Sequence, residues 1–274
     1  MTTTLRPSEP LQQDEDGARS RRYQVCVNSR PVGSIRLGTY PAFGESVARI
    51  LDLRIEEPDR RRGRATIAAL AAEEVARGWG CRRIETSVPR DAEAALRLTH
   101  TLGYVLRNRG MRKSLGPTPP ALPEGSRARP LTQAEFGPWA ENGREGYVQD
   151  WVTRGVPEAD ARAKALRDYE GQLPDGPATE HMVLSVLEHE GTRVGALWLG
   201  LAGESAFVCD VETEAAHRGR GHGRTLMLLA EAQALAAGKP DIVLNVFAGN
   251  TPAERLYESL GYETVNHHLY KQLI

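Results

Sequence analysis

Cysteine is scarce in this chain. Its 274 residues include three, Cys26, Cys81 and Cys209, far apart and without a Cys-x-x-Cys pair. That argues against a disulfide framework or a structural zinc site, predicts no bound metal, and fits a reducing, cytoplasmic setting. Aromatic residues make up only 6% and net charge is −1, so neither stacking platforms nor a global positive field favour a nucleic-acid partner. No run of 18 apolar residues occurs, which excludes a membrane-spanning helix. Met1 to Arg22 is polar and lacks the apolar core of a signal peptide.

What is present fits a soluble globular protein. Hydrophobic residues are 40% and charged residues 26%, enough to bury a core, and the length allows one large domain or two small ones. The chain also repeats itself. Arg60 and Arg218 are 158 positions apart, and so are Gly63 and Gly221, Glu73 and Glu231, Ile84 and Ile242, Leu98 and Leu256, and Tyr104 and Tyr262. Val32-Gly33 recurs as Val194-Gly195 at a spacing of 162. Similarity at a fixed spacing implies a duplicated fold.

Each copy reads as a hairpin, a further strand, a basic glycine-containing turn, a helix, a strand, a short helix and a last strand. Asp91 is expected to cap the short helix of the first copy. The predicted organisation is a tail over residues 1–21, with room for a short strand around Thr3 to Arg6, a first domain over 22–115, a proline-rich linker over 116–126 and a second domain over 127–274. The second copy alone carries two extra helices, one capped by Thr132 and one started by Pro157, with Trp139, Tyr147 and Trp151 on them. Helices that lie on a sheet need apolar faces, which those aromatics would supply.

The most informative stretch is Arg218-Gly219-Arg220-Gly221-His222-Gly223-Arg224, followed at once by a strong helix former. Glycine allows close backbone approach to a ligand, and the unpaired N–H groups of the first helical turn attract phosphate. The spacing is not that of the dinucleotide fingerprint, and the P-loop signature is absent. Arg-x-x-Gly-x-Gly, followed downstream by Asn245, Asn250, Tyr257 and Gly261-Tyr262, resembles two successive blocks of the GNAT superfamily of acyl-CoA-dependent N-acyltransferases.

That resemblance implies an α/β (α+β) fold: two tandem GNAT-like folds, each a mixed, mostly antiparallel sheet flanked by helices. It implies an acyl-CoA co-substrate, acetyl-CoA by default, and a primary amine on a small molecule or peptide as acceptor, in a monomer or homodimer. Backbone of Gly219, Arg220, Gly221, Gly223 and Arg224 would hold the pyrophosphate. Arg218 would join them or cap its own loop. The Val211 amide would polarise the thioester carbonyl and Thr213 would pair with pantetheine. Asn250 would touch CoA or only cap its helix. Tyr257 would protonate the departing thiolate or only pack beneath CoA. Asp210 and Glu212 would serve as base or hold a cationic acceptor, or be ordinary ion-pair partners. The two extra helices would wall the acceptor side, with Trp139, Tyr147 and Trp151 either facing it or only packing, and His267-His268 would line it too. In the first copy Tyr257 becomes Thr99 and Asn250 becomes Ala92, so that copy is expected to be degenerate. The competing reading is a CoA-binding sensor without transferase activity.

Overall fold

A computed structural model describes residues 2–15, 17–39 and 46–273. Its elements run β1 (Thr3–Pro7), β2 (Gln12–Gln13), β3 (Arg19–Val27), β4 (Arg30–Thr39), β5 (Val47–Ile55), α1 (Arg64–Gly78), β6 (Arg83–Pro89), α2 (Glu93–Thr101) and β7 (Val105–Ser114). The series continues with β8 (Ser126–Pro130), α3 (Gln133–Val152), α4 (Glu158–Gln172), β9 (Met182–His189), β10 (Thr192–Gly200), β11 (Ala206–Thr213), α5 (His222–Ala236), β12 (Asp241–Phe247), α6 (Thr251–Ser259) and β13 (Glu263–Gln272). Contacts divide the chain into two compact units, Met1–Asn108 with Asn266–Ile274, and Arg109–Val265.

In the first unit the strand order is β1-β3-β4-β5-β6-β13, with β2 on β3. Thr3 to Pro7, where the sequence leaves room for a short strand, lies antiparallel to Tyr23–Val27. Ile35, Leu37, Ile50 and Ile84 point to one face and meet Ala68, Ala69, Ala72 and Ala76 of α1. The alanine stripe lets the helix lie close to the sheet. The start of α2 differs from expectation: Ala92 is at the N-cap, and no side chain caps the helix.

In the second unit the order is β8-β9-β10-β11-β12-β7. One face packs Leu187, Leu197, Leu199 and Ile242 on Leu226, Met227, Ala230 and Ala234 of α5. The other packs Leu184, Val186, Ala196 and Trp198 beneath Trp139 and Tyr169 of α3 and α4. Thr132 begins α3 with a capping box, its side chain bonded by the Glu135 amide and Glu135 bonded by the Thr132 amide. At a spacing of 162 those four sheet positions are Arg22, Gln24, Ser34 and Arg36 in the first unit. Polar residues suit a face that has no helix pair of its own.

The repeat holds at atomic level. A Cβ on Gly33 would lie 2.2 Å from the Arg54 carbonyl, and one on Gly195 would lie 2.4 Å from the Glu212 carbonyl. Only glycine lets the neighbouring strand come so near. Arg60 Nε donates to the Ile55 carbonyl at 2.9 Å and Arg218 Nε to the Thr213 carbonyl at 3.1 Å.

The last strands are exchanged. Asn266–Gln272, from the second copy, pairs antiparallel with Arg83–Pro89 in the first unit. The end of β7, from the first copy, belongs to the second unit. There Leu115 N–H donates to the Pro240 carbonyl at 2.8 Å, and Arg112 and Ser114 both donate to Asp241. A consequence is that His267 and His268 sit in the first unit, in contrast to the acceptor-side position expected for them. Burial, then Arg107, Arg49 and His267, lowers the His268 pKa to about 4.

Candidate active site

The site of the second unit is made by two strands that part. β11 pairs with β12 only from Ala206↔Ile242 to Val208↔Leu244, while its pairing with β10 continues to Gly195↔Thr213. A bulge between Trp198 and Leu199 marks the change, since Trp198 opposes Asp210 and Leu199 opposes Val208, leaving Cys209 between. Beyond Val208, therefore, the β12-facing edge of β11 carries main-chain groups without ladder partners.

That edge holds four of the expected residues in sequence. Asp210, Val211, Glu212 and Thr213 are all half-buried. Burial and the neighbouring Glu212 carboxylate raise the Asp210 pKa to about 7, against the lowering pull of the Val211 amide, which is directed at it. Asp150 adds to the rise. Glu212 accepts from the Asn142 side chain of α3 at 3.1 Å. Cys209 is held as a thiol, its pKa pushed up to about 12 by burial, so it is no nucleophile at neutral pH.

The glycine loop follows. Gly219 (φ 75°) and Gly221 (φ 89°) adopt the left-handed conformation, and Gly221 is the N-cap of α5 with no side chain closing it. Nothing fills the space where their Cβ atoms would be. The free amides of the first turn of α5 thus face an open cradle suited to an anion. Arg218 ties the loop to Thr213. Arg220 is exposed, and Arg224 reaches Ser259 of α6. A Cβ on Gly223 would be 3.3 Å from Leu256 and 3.7 Å from the Thr213 hydroxyl, so loop, β11 and α6 meet there. His222 is buried, with its ring 5.1 Å from that of His189.

On α6, Asn250 caps the helix by accepting from the Ala253 amide at 3.3 Å. Tyr257 is half-buried. Burial and then Asp210 raise its pKa to about 12, so its hydroxyl keeps its proton near neutrality. The aromatic residues of α3 and α4 pack in two groups. Trp139, Tyr169 and Trp198 form one ring cluster, and Tyr147, Trp151 and Phe247 another. Lys164, buried, binds Asp168 at 2.7 Å, and Tyr147 donates to the same carboxylate at 3.0 Å. Asn142 and Tyr169, beside Glu212 and Asp210, went unassigned on sequence, because the first copy holds no counterpart to align them with. Among the described residues no group of three or more His, Cys, Asp or Glu is arranged to hold a metal ion.

The Acetyltransferase (GNAT) family matches this chain over residues 2–104 and again over 145–262. The chain belongs to the GNAT family. It is an acetyltransferase built as a tandem. The uncharacterized N-acetyltransferase YdgE of Bacillus subtilis is 28% identical over 149 residues, 52% of this chain and 95% of that protein. The mycothiol acetyltransferase of Mycolicibacterium smegmatis is 29% identical over 254 residues, 89% of this chain and 81% of that one. A GCN5-related N-acetyltransferase from Sphaerobacter thermophilus has a similar fold, with TM-score 0.62 and 18% identity over 92% of this chain and 80% of its own. A tandem GNAT protein from the clavulanic acid biosynthesis pathway does too, with TM-score 0.54 and 18% identity over 94% and 84%. GNAT proteins in general transfer acyl groups to amines, and no helix among the described residues is long and apolar enough to cross a membrane.

Proposed function

We propose that the second unit carries an acetyl-CoA-dependent N-acyltransferase acting on a primary amine of a small molecule or peptide. The observation that supports this reading best is the parted β11 edge, with a raised carboxyl on it and both an anion cradle and a protonated tyrosine beside it. Acetyl-CoA fits the residues present. The loop from Gly219 to Arg224 offers amides to its diphosphate, Thr213 lies between loop and strand, and the open edge at Val211 offers an amide to a carbonyl oxygen. The thioester supplies an acyl group already activated for attack.

The remaining work falls to the chain. A free alkyl ammonium has a pKa near ~10.4, so a proton must leave before the nitrogen can attack. Asp210, poised near neutrality, accepts that proton directly or through water. Glu212, held by Asn142, adds attraction for the cationic amine. Once Asp210 has taken up the proton its hold on the Val211 amide weakens, and that amide stabilises the charge that develops on the carbonyl oxygen. As the C–N bond forms and the C–S bond breaks, Tyr257 gives its proton to the departing sulfur, and the second proton shed by the nitrogen restores the Tyr257 hydroxyl through water. Amide and free thiol are the products.

At the same spacing the first copy has Thr99 for Tyr257 and Arg54 for Glu212, and the Thr99 hydroxyl donates to the Leu96 carbonyl at 2.9 Å within its own helix. That supports a degenerate first copy. The residues at Tyr257 and Asp210 weigh against a CoA sensor without turnover. Thiol release from acetyl-CoA with a panel of amines tests the proposal. Calorimetric binding of acetyl-CoA with no release for any amine would select the sensor reading, and no binding would sink both.

A further inference from the structure

We propose that the acceptor amine also carries a carboxylate, and that Arg144 holds it. The inference rests on the transfer reading above and names its substrate class.

Three successive residues of α3 matter here, and the first of them reaches β11. Asn142 donates to Glu212 at 3.1 Å and 3.4 Å. Gly143 touches the Tyr169 hydroxyl so closely that a Cβ would be 2.4 Å from it, so the absence of a side chain is what lets α3 descend onto Tyr169. Arg144 comes next and is half-buried. The other cations of the two helices with known contacts are neutralised. Arg154 pairs with Asp150, Arg162 with Glu145 and Glu158, and Lys164 with Asp168. Arg144 has no ion-pair or hydrogen-bond partner among the described residues.

A half-buried guanidinium with no protein partner keeps its donors available to an anionic ligand. Its charge reaches the Tyr169 hydroxyl, which also feels Asp210 and Glu212. The Tyr169 hydroxyl, against which Gly143 packs, thus lies within electrostatic reach of both carboxylates and of the guanidinium. A zwitterion of amino-acid type matches that arrangement: its ammonium faces Asp210 and Glu212, and its carboxylate takes the planar fork of Arg144, which suits bidentate binding.

The test is steady-state acetylation, with acetyl-CoA, of common L-amino acids, each beside its own carboxamide. The wild-type chain is expected to prefer the acids. Arg144→Gln should lower kcat/KM for the acids about tenfold, the scale of one charge-assisted pair, mainly through KM. It should leave the amides within about twofold, and Arg144→Lys should recover part of the loss. Calorimetry should show acetyl-CoA affinity unchanged in both variants. Equal turnover of acids and amides, or an equal loss for both in Arg144→Gln, overturns this inference alone. Turnover of no amine of either kind overturns the transfer reading and this inference together. Should Arg144→Gln fail to fold, the wild-type preference and the Arg144→Lys variant decide.

Discussion

The Lys271 ammonium lies 2.7 Å from the Glu73 carboxylate, although 198 positions of chain separate them. Lys113 meets Glu231 at the same 2.7 Å, across 118 positions. Each pair sits under a buried tyrosine: Tyr104 lies beside Lys271 and Glu73, and Tyr262 beside Lys113 and Glu231. Each carboxylate raises the pKa of its tyrosine further above the level that burial sets. In both cases the lysine comes from the strand of the other copy, so the ion pairs record the exchange of last strands.

Replacing Lys271 by Met should therefore destabilise the fold, because Glu73 is left buried and uncompensated. A loss of about 3 kcal/mol in chemical denaturation is expected, and adding Glu73→Leu should recover most of it. A loss under about 0.5 kcal/mol would mean that the pair does not hold the strand.

Tyr257→Phe should reduce kcat by about 10²-fold, the usual reach of a general acid, while acetyl-CoA affinity stays the same. The check is steady-state kinetics beside calorimetry. An unchanged kcat would remove the hydroxyl from the reaction.

Asp210 sets a pH dependence. It acts as base when deprotonated, so kcat/KM should rise with pH through about 7, and Asp210→Asn should abolish that limb. Stability has the opposite sign. The folded carboxyl binds its proton more tightly than the unfolded one, so the native state loses stability as pH climbs from the ordinary Asp range to about 7. Asp210→Asn should melt higher than wild type at pH 8 and lose that advantage near pH 4. A melting difference independent of pH would contradict the raised pKa.

Gly195→Ala should push β11 away, since its new Cβ would fall 2.4 Å from the Glu212 carbonyl. A loss of about 1–3 kcal/mol is expected, with reduced turnover because Asp210 and Val211 move along with that strand. Gly137→Ala, where a Cβ meets nothing within 4 Å, is the control.

Much of this was legible before any coordinates. The repeat, the capping role of Thr132, the glycine turn and the order of elements follow from spacing and local chemistry. The exchange of strands was not. Lys113 and Lys271 occupy equivalent positions, as do Glu73 and Glu231, so either connectivity satisfies the same pattern of charge and hydrophobicity. Most of residues 1–21 reads as a tail, with room for a strand at Thr3 to Arg6, and the pairing with Tyr23–Val27 makes Thr3 to Pro7 that strand. At the site, β11 could be read from its motif neighbours. Asn142 and Arg144 could not, since their meaning depends on where α3 crosses the sheet, and Gly143 sets that by contact with Tyr169.

The swapped ends bear on how such a chain can change over generations. Whatever chemistry the first copy keeps or sheds, its closing segment stays under selection as a part of the other copy's core. A gene split between the repeats would strand each half's final ribbon on the wrong polypeptide, which ties the duplication together as one inheritable piece.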